Sequence, residues 1–300
     1  MHEFRLTPSA PFGFETTATF MSPGAGELVD VFDGKRFTRL VDVSGRMRLV
    51  LVSSLGTEQR PELIVTLMNG TERDEPGVVA LLSRMMGMGF DPGPFYKLCR
   101  TDQGLYGLSS DFYGLRPTQR MHPFEAITLA VASRPGLHFF RASVSNVAEA
   151  VSYRVAYAGD TFYAFPTPRV VAKVTAEEMV QSDFGLEQAR QLHAIAQAAM
   201  TGQLDIIGLA RAPLETLVDR LAMHDGVGLL GAQLTAIIGY GRLDCFPSAD
   251  PLLLEWLGRN YGSGTPMEPF EAEQWAEDWG HYRGLVAFHI YAELMAKGRL

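Results

Sequence analysis

The N-terminal part of the chain contains short runs of hydrophobic and β-branched residues, the pattern that predicts β-strands. The clearest runs cover residues 28–32, 37–41 and 49–52. Glycine-containing turns separate these runs, as expected for strands that reverse direction. We therefore predict an antiparallel β-sheet within residues 14–68.

Beyond the sheet, hydrophobic residues recur at the three- and four-residue spacing of helices. Two helices are predicted at 78–86 and 94–99, and the chain from Pro123 onward reads as mostly helical. The predicted fold class is α+β, an N-terminal antiparallel β-sheet domain with helices followed by a mostly α-helical core. We place the first domain at residues 1–100 and the helical core at 101–300.

The segment 217–238 combines two helical patterns with a tight turn. Leu217 and Leu221 lie at helical spacing, the sequence Asp-Gly-Val-Gly at 225–228 interrupts the helix, and 229–238 resumes it. Two glycines beside a helix start let the backbone approach a ligand closely, and the first amides of a helix have no partners within it. Such a helix terminus is suited to bind a phosphate group.

A second local signal is the pair Asp250-Pro251. Proline fits the first position of a helix, so this pair predicts a helix at about 252–257 with Asp250 as its N-cap residue. The neighbouring amides favour the ionised carboxylate. Taken alone, the glycine turn and the capped helix are each more often structural than functional.

Together and at this spacing, the two signals resemble the helix-hairpin-helix superfamily of DNA glycosylases. There, a Gly-hydrophobic-Gly hairpin precedes a loop that ends in the catalytic aspartate. Further segments follow the order of the 3-methyladenine DNA glycosylase II branch, so the resemblance covers roughly residue 121 to the C-terminus. These segments are 165–168, 185–202, 214–217, 282–285 and 289–291.

The resemblance implies an N-glycosylase of base excision repair that flips a damaged base out of duplex DNA, with its active-site cleft between two helical subdomains. It places Asp250 in the catalytic position. It assigns the DNA-binding hairpin to Gly226, Val227, Gly228 and Leu229.

In the family, main-chain carbonyls of the hairpin coordinate a monovalent cation that bridges to a DNA phosphate. The matching carbonyls belong to Ala222, His224 and Val227. A structural Na+ or K+ is the only ion that the resemblance implies, and no cofactor is expected to be required. The imidazole of His224 has no second ligand at metal-binding spacing and is expected at the surface or in the turn.

Two departures from the family pattern concern the reaction and the substrate. Bifunctional members carry a lysine two residues after the second hairpin glycine, where this chain has Leu230, so we expect no lyase activity. The matched base-pocket positions are Leu230, Leu234, Pro251 and Tyr291, of which only Tyr291 is aromatic. Because aromatic rings favour cationic alkylated bases, the expected substrates extend from alkylated purines to neutral deaminated and etheno purines.

A wedge residue is also altered. Relatives insert a Gln-Leu pair into the gap left by the flipped nucleotide, and Arg134 and Pro135 occupy that place here. Both are physically reasonable wedges, and an ordinary Pro-Gly turn is an equal alternative. We predict that His138 and the two phenylalanines after it pack in the core and take no part in chemistry.

Other residues are interpreted as structural. Phe12 or Phe14 is a candidate for one more aromatic contact with the base, although a Phe in such a segment is more often a core residue. Asp244 is expected to be exposed or to hydrogen-bond the loop that carries Asp250. The three tryptophans are expected to pack in the core or between subdomains.

Composition neither requires nor excludes DNA binding. The net charge of −8 is an objection, because nucleic-acid binders gain affinity from a basic surface. We therefore expect modest non-specific affinity with strong salt dependence, anchored by backbone amides more than by cationic side chains. Two cysteines are too few for a disulfide scaffold or a four-cysteine metal site.

Without a leader or a run of membrane-spanning length, the chain is expected to act in the cytoplasm, associated with the nucleoid. The expected partner is double-stranded DNA containing damaged bases, bound by a monomer. Two alternatives stay open. One is a non-catalytic binder of damaged or abasic DNA that keeps the fold, and the other is a glycosylase for another lesion such as uracil or 8-oxoguanine.

Overall fold

The structure is a computed structural model that describes residues 1–22, 27–133, 138–142, 144–181 and 183–300. Five antiparallel strands form the main sheet in the order β1-β5-β4-β3-β2, and two more form a separate hairpin. The strands are β1 (His2–Leu6), β2 (Val31–Phe32), β3 (Arg36–Val43), β4 (Arg46–Ser54), β5 (Leu63–Leu67), β6 (Arg154–Tyr157) and β7 (Asp160–Tyr163).

The predicted antiparallel sheet is confirmed, with β3 and β4 as its central hairpin. The hairpin closes at Ser44 and Gly45, and Val43 pairs with Arg46. Gly45 has φ of +80°, a conformation that glycine adopts without strain. The run at 28–32 is a strand only over Val31–Phe32, and β1 and β5 complete the sheet on the other side.

Helices occupy most of the remaining described chain. They are α1 (Phe14–Met21), α2 (Glu75–Met85), α3 (Gly93–Thr101), α4 (Gln103–Asp111), α5 (Pro123–Ala132), α6 (Ser145–Val151), α7 (Pro168–Val171), α8 (Leu186–Thr201), α9 (Leu214–Ala222), α10 (Gly228–Tyr240), α11 (Pro251–Asn260), α12 (Pro269–Asp278) and α13 (Arg283–Ala296). The predicted helices at 78–86 and 94–99 are thus confirmed as parts of α2 and α3. Among the described residues, none of the helices combines the length and hydrophobicity needed to cross a bilayer.

One local expectation was wrong, and the helical part contains one element that was not expected. The start of the β-rich region, Phe14–Met21, is a helix because Phe14, Thr17, Ala18 and Met21 recur at helical spacing and bury one face. The helical part also contains the hairpin β6–β7, which turns at Gly159 with φ of +94°. Phe162 of β7 packs with Leu40 and Leu49 of the main sheet, so this hairpin covers part of the second face of the sheet.

Two hydrophobic cores correspond to the two parts of the chain. One lies between the sheet and helices α1 and α2, and it includes Phe12 and Phe14. The larger core fills the helical part and takes in Phe95 and Cys99 of α3. The division of the chain at residue 100 stays a prediction.

Helix α10 lies at the centre of the helical part and packs closely on α5. A methyl group added at Gly231 would lie 2.8 Å from the Ala130 Cβ, and one at Gly239 would lie 3.0 Å from the Ala126 Cβ. Small residues at these contacts therefore let the two helices approach. Their packing brings the C-terminal end of α5 to the N-terminal end of α10, where the candidate site lies.

Candidate active site

Asp250 is the N-cap residue of α11, as the sequence predicts. Its Oδ1 accepts a hydrogen bond from the Leu252 amide at 2.9 Å, and Pro251 occupies the first helical position. A side-chain oxygen bound to an amide of the first turn fixes the carboxylate relative to the helix. The residue is completely buried, so the remaining lone pairs need partners within the protein.

Those partners come from two distant segments. The Tyr291 hydroxyl of α13 donates to Asp250 Oδ2 at 2.6 Å, and His138 Nε2 lies 2.9 Å from the same oxygen. His138 Nδ1 accepts the Phe140 amide at 3.4 Å, so in the neutral ring the proton resides on Nε2. His138 therefore donates to the carboxylate.

The electrostatics of this cluster favour the aspartate anion. Burial alone would raise the pKa of Asp250, but the hydrogen bonds from His138, Tyr291 and the Leu252 amide outweigh it and hold that pKa below its usual value. Burial and the adjacent anion raise the pKa of Tyr291 well above its usual value, so Tyr291 stays a neutral donor. A buried, ionised carboxylate is thus fixed in place at neutral pH.

The contact of His138 with Asp250 was not expected from the sequence. Its side chain is 12% exposed and forms an ion-pair geometry with Asp250, in addition to ring contacts with Phe140 and Tyr291. The two residues are 112 positions apart, and no local sequence pattern joins them. The only signal was a histidine directly after the predicted wedge, next to a region assigned to DNA contact.

The predicted helix-turn-helix is confirmed between α9 and α10. Gly226 has φ of +84° and Gly228 has φ of +62°, both in the left-handed region that favours glycine. The side chain of Leu229 is 51% exposed at the start of α10. The hairpin thus presents a glycine backbone and a helix N-terminus at the surface, the geometry that suits a phosphate group.

Main-chain carbonyls of the hairpin are partly engaged within the protein. The His224 carbonyl accepts the Val227 amide at 3.1 Å, which leaves it one lone pair for a cation. The predicted cation site at Ala222, His224 and Val227 stays a prediction. Across the described residues, no group of three or more His, Cys, Asp and Glu side chains is arranged to hold a metal ion.

A cleft of about 260 Å³ lies beside the hairpin. It is lined by Leu230 and Leu234, two of the predicted pocket residues, together with His138 and Phe139. The rest of the lining consists of the hairpin residues Gly226 and Val227, Gly231 of α10, Ala130 of α5 and Ser133 directly after α5. The cleft therefore joins the predicted DNA-binding hairpin to the histidine that contacts Asp250.

The other two predicted pocket residues lie elsewhere. Pro251 is exposed at the start of α11, and Tyr291 is fully buried with its hydroxyl on Asp250. The aromatic surface at the cleft comes instead from His138 and Phe139. Phe12 and Phe14, the candidates from the N-terminal part, belong to the core of the sheet.

The predicted wedge, Arg134 and Pro135, lies outside the described residues. Ser133 and His138 flank that segment, and both line the cleft. Ser133 is the C-cap residue of α5, and its hydroxyl donates to the Leu129 carbonyl at 2.7 Å.

The loop that leads to Asp250 is braced from both sides. Asp244 forms an ion pair with Arg242, with 2.8 Å between Nη2 and Oδ2, and its carbonyl accepts Arg283 Nε at 2.6 Å. Ser248 Oγ donates to Glu273 of α12 at 2.6 Å. The Asp244 side chain thus meets both expectations, because it is 39% exposed and its carboxylate hydrogen-bonds Arg242 at the start of the loop.

The sequence was compared with protein families and with curated proteins. No family model matches the chain. An alkylbase DNA glycosidase-like protein of Schizosaccharomyces pombe is 23% identical over 128 residues, which are 42% of this chain. The matched region spans 60% of that relative.

Solved structures cover nearly the whole chain. The 3-methyladenine DNA glycosylase of Archaeoglobus fulgidus has a TM-score of 0.85 at 19% identity, covering 99% of this chain and 100% of its own. The 8-oxoguanine glycosylase/lyase of Clostridium acetobutylicum, solved with double-stranded DNA, has a TM-score of 0.77 at 15% identity and covers 98% of both chains. The chain therefore has the fold of these DNA glycosylases, which confirms the predicted α+β fold class and the fold implied by the resemblance.

Proposed function

We propose that the protein is a monofunctional DNA glycosylase of base excision repair that removes alkylated, deaminated or etheno purines from duplex DNA. The observation that carries this proposal is the ionised, buried Asp250 behind a cleft that also contacts the hairpin. The names of its relatives support the same class, because they include enzymes for 3-methyladenine and other alkylated bases.

The hairpin amides would hold a phosphate while the damaged nucleotide rotates out of the duplex. Unstacking and unpairing cost a few kcal/mol, and the phosphate contacts offset part of this cost. The C1′–N bond then breaks and its electron pair passes to the base, where it neutralises a cationic alkylated purine. A neutral purine leaves as an anion and takes up the proton that the attacking water releases. Asp250 stabilises the cationic sugar, and the addition of water to C1′ completes hydrolysis.

The residues of the cleft bear on two properties of the proposed enzyme, its lack of lyase activity and the range of bases that it removes. Leu230 cannot form a Schiff base with the sugar, so we infer hydrolysis without strand cleavage. The lining combines aliphatic side chains with His138 and Phe139, so binding is expected to depend on shape and stacking more than on a positive charge of the base. A glycosylase that removes uracil or 8-oxoguanine is the alternative to this substrate range.

We infer that duplex DNA is the partner, bound by a monomer with a Na+ or K+ on the hairpin carbonyls and no other required cofactor. We infer that the protein acts in the cytoplasm, where it associates with the nucleoid. A protein with a net charge of −8 meets repulsion from DNA at low salt, so contacts through backbone amides carry more of the affinity than in a basic protein.

The test compares single-turnover base release by the wild type and Asp250→Asn. Duplexes would carry 3-methyladenine, 7-methylguanine, ethenoadenine, hypoxanthine, uracil or 8-oxoguanine. Asn keeps the shape and removes the charge, so release should fall by at least about a hundredfold while binding to an abasic duplex is retained. Asp278→Asn, an exposed position on α12, is the matched control and should behave as wild type.

Release at the wild-type rate by Asp250→Asn would refute the proposed mechanism. Release without strand scission before alkali identifies a monofunctional enzyme and its lesion class. If the wild type releases no base from any duplex but binds abasic DNA, the protein is a non-catalytic binder.

A further inference from the structure

Asp250 cannot reach a sugar in the conformation described here. Its side chain is 1% exposed, and it accepts hydrogen bonds from the Leu252 amide, Tyr291 and His138. To stabilise a cationic sugar, a carboxylate oxygen must come into direct contact with the anomeric region. Entry of a nucleotide therefore requires that a neighbour of Asp250 moves.

The three donors differ in how firmly they are held. The Leu252 amide belongs to the first turn of α11, and losing its bond would uncap the helix. Tyr291 is fully buried in the middle of α13, with its ring against Phe140 at a centroid distance of 4.6 Å. Both are fixed parts of the helical core.

His138 is the donor that can be displaced. It lies outside regular helix and strand, with extended backbone angles (φ of −66° and ψ of 151°), directly before the short 3-10 turn Phe139–Arg141. It lines the cleft, whereas Asp250 lies behind it. Its Nε2–H also competes directly with any positive charge that approaches Oδ2.

We propose that His138 closes the catalytic site of the free protein and gives up its hydrogen bond to Asp250 when a nucleotide enters the cleft. This inference rests on the proposed glycosylase function. Because the bond from His138 exists in the free state and is broken in the bound state, it opposes binding of a cationic sugar. The bond from Tyr291 persists in both states and leaves the binding equilibrium unchanged.

The experiment measures affinity for a duplex with a cationic pyrrolidine ring in place of one deoxyribose. His138→Ala should bind this duplex about tenfold more tightly than wild type, since a hydrogen bond to a charged group is lost from the free state only. His138→Gln keeps an N–H donor and should bind within about twofold of wild type. Tyr291→Phe removes the other donor to the same oxygen without opening the cleft and should not tighten binding.

Base release under single-turnover conditions supplies the second readout. For His138→Ala, the protein concentration at half-maximal rate should fall, and Tyr291→Phe should show no such fall. A histidine that served only to pack or to position Asp250 would give weaker binding or a lower maximal rate when it is replaced. Unchanged or weaker binding by His138→Ala therefore overturns the inference.

The outcomes also separate this inference from the proposed function. Tighter binding by His138→Ala without base release by wild type would support closure of the site and reject catalysis. Release that depends on Asp250, with unchanged binding by His138→Ala, would reject closure alone. Failure of the wild type to bind either duplex would reject both.

Discussion

Replacing Arg39 by methionine should destabilise the protein by about 3–5 kcal/mol, the range for breaking a buried ion pair by removing one partner. Arg39 of β3 is 1% exposed and pairs with both Asp30 and Glu125 of α5, with 2.6 Å between Nη2 and Glu125 Oε1. Arg120 Nη1 lies 2.5 Å from the second oxygen of Asp30. These four buried charges connect the sheet to the helix that leads into the cleft.

The magnitude depends on which acid loses its partner. Without Arg39, Asp30 keeps Arg120. Glu125 loses the hydrogen bond to its Oε1, and its Oε2 has no hydrogen-bond partner in the described chain. Glu125 is fully buried, and burial raises its pKa even with Arg39 present. The variant must therefore either bury an unpaired anion or take up a proton.

This choice gives the prediction a pH dependence with a definite sign. In Arg39→Met the folded-state pKa of Glu125 lies further above its unfolded value. Above the folded-state pKa of Glu125 the variant therefore shows its full loss of unfolding free energy. Part of this loss is regained as the pH falls toward the pKa of Glu125 in the unfolded chain. The difference in unfolding free energy between wild type and variant should thus be smaller at pH 5 than at pH 7.5.

The assay is urea denaturation followed by circular dichroism at both pH values, with Arg39→Met, Glu125→Leu and the double variant. Replacing the pair by apolar residues removes the unpaired charge, so the double variant should recover about 2 kcal/mol of the loss in Arg39→Met. A loss below about 1 kcal/mol in Arg39→Met, or a double variant no more stable than that single variant, would refute this reasoning.

Two further predictions concern the hairpin and acid stability. Gly226→Ala should lower the free energy of unfolding by about 1–2 kcal/mol, because φ of +84° disfavours a Cβ. It should also weaken duplex binding, measured by filter-binding titration. Gly202→Ala, at φ of +78°, is the control for backbone strain and should leave binding unchanged. Burial lowers the pKa of His289 to about 4. Between about pH 6.5 and pH 4 its imidazole is therefore protonated in the unfolded state but not in the folded state. Lowering the pH across this range should cost about 3 kcal/mol of unfolding free energy. His289→Phe should flatten this part of a plot of unfolding free energy against pH, and an unchanged slope would contradict it.

Local sequence rules predicted the elements that local physics determines. The β3–β4 hairpin, the turn between α9 and α10 and the N-cap at Asp250 each depend on residues within a few positions of one another. Glycine at a left-handed position and aspartate before proline are constraints of that kind. For the same reason the predicted ends of α2 and α3 lie within a few residues of those in the structure.

Features that depend on long-range packing were not predictable in this way. Phe14–Met21 is hydrophobic enough for a strand, and its helical spacing decides the structure only because the face that it defines packs into the core of the sheet. The contact between His138 and Asp250 joins segments 112 positions apart, and that between Tyr291 and Asp250 spans 41 positions. The ring of Tyr291 was expected at the base, but the structure turns its hydroxyl to the carboxylate.

Burying an ionised carboxylate is unfavourable unless hydrogen bonds replace its hydration. Asp250 receives three such bonds, but a donor that stays on the cleft side of the carboxylate keeps a cationic sugar from reaching it. A site with three fixed donors would hold the anion well and stabilise the transition state poorly. With two fixed donors and one displaceable donor at the cleft, the free protein can keep Asp250 ionised, and the bound nucleotide can take the place of His138.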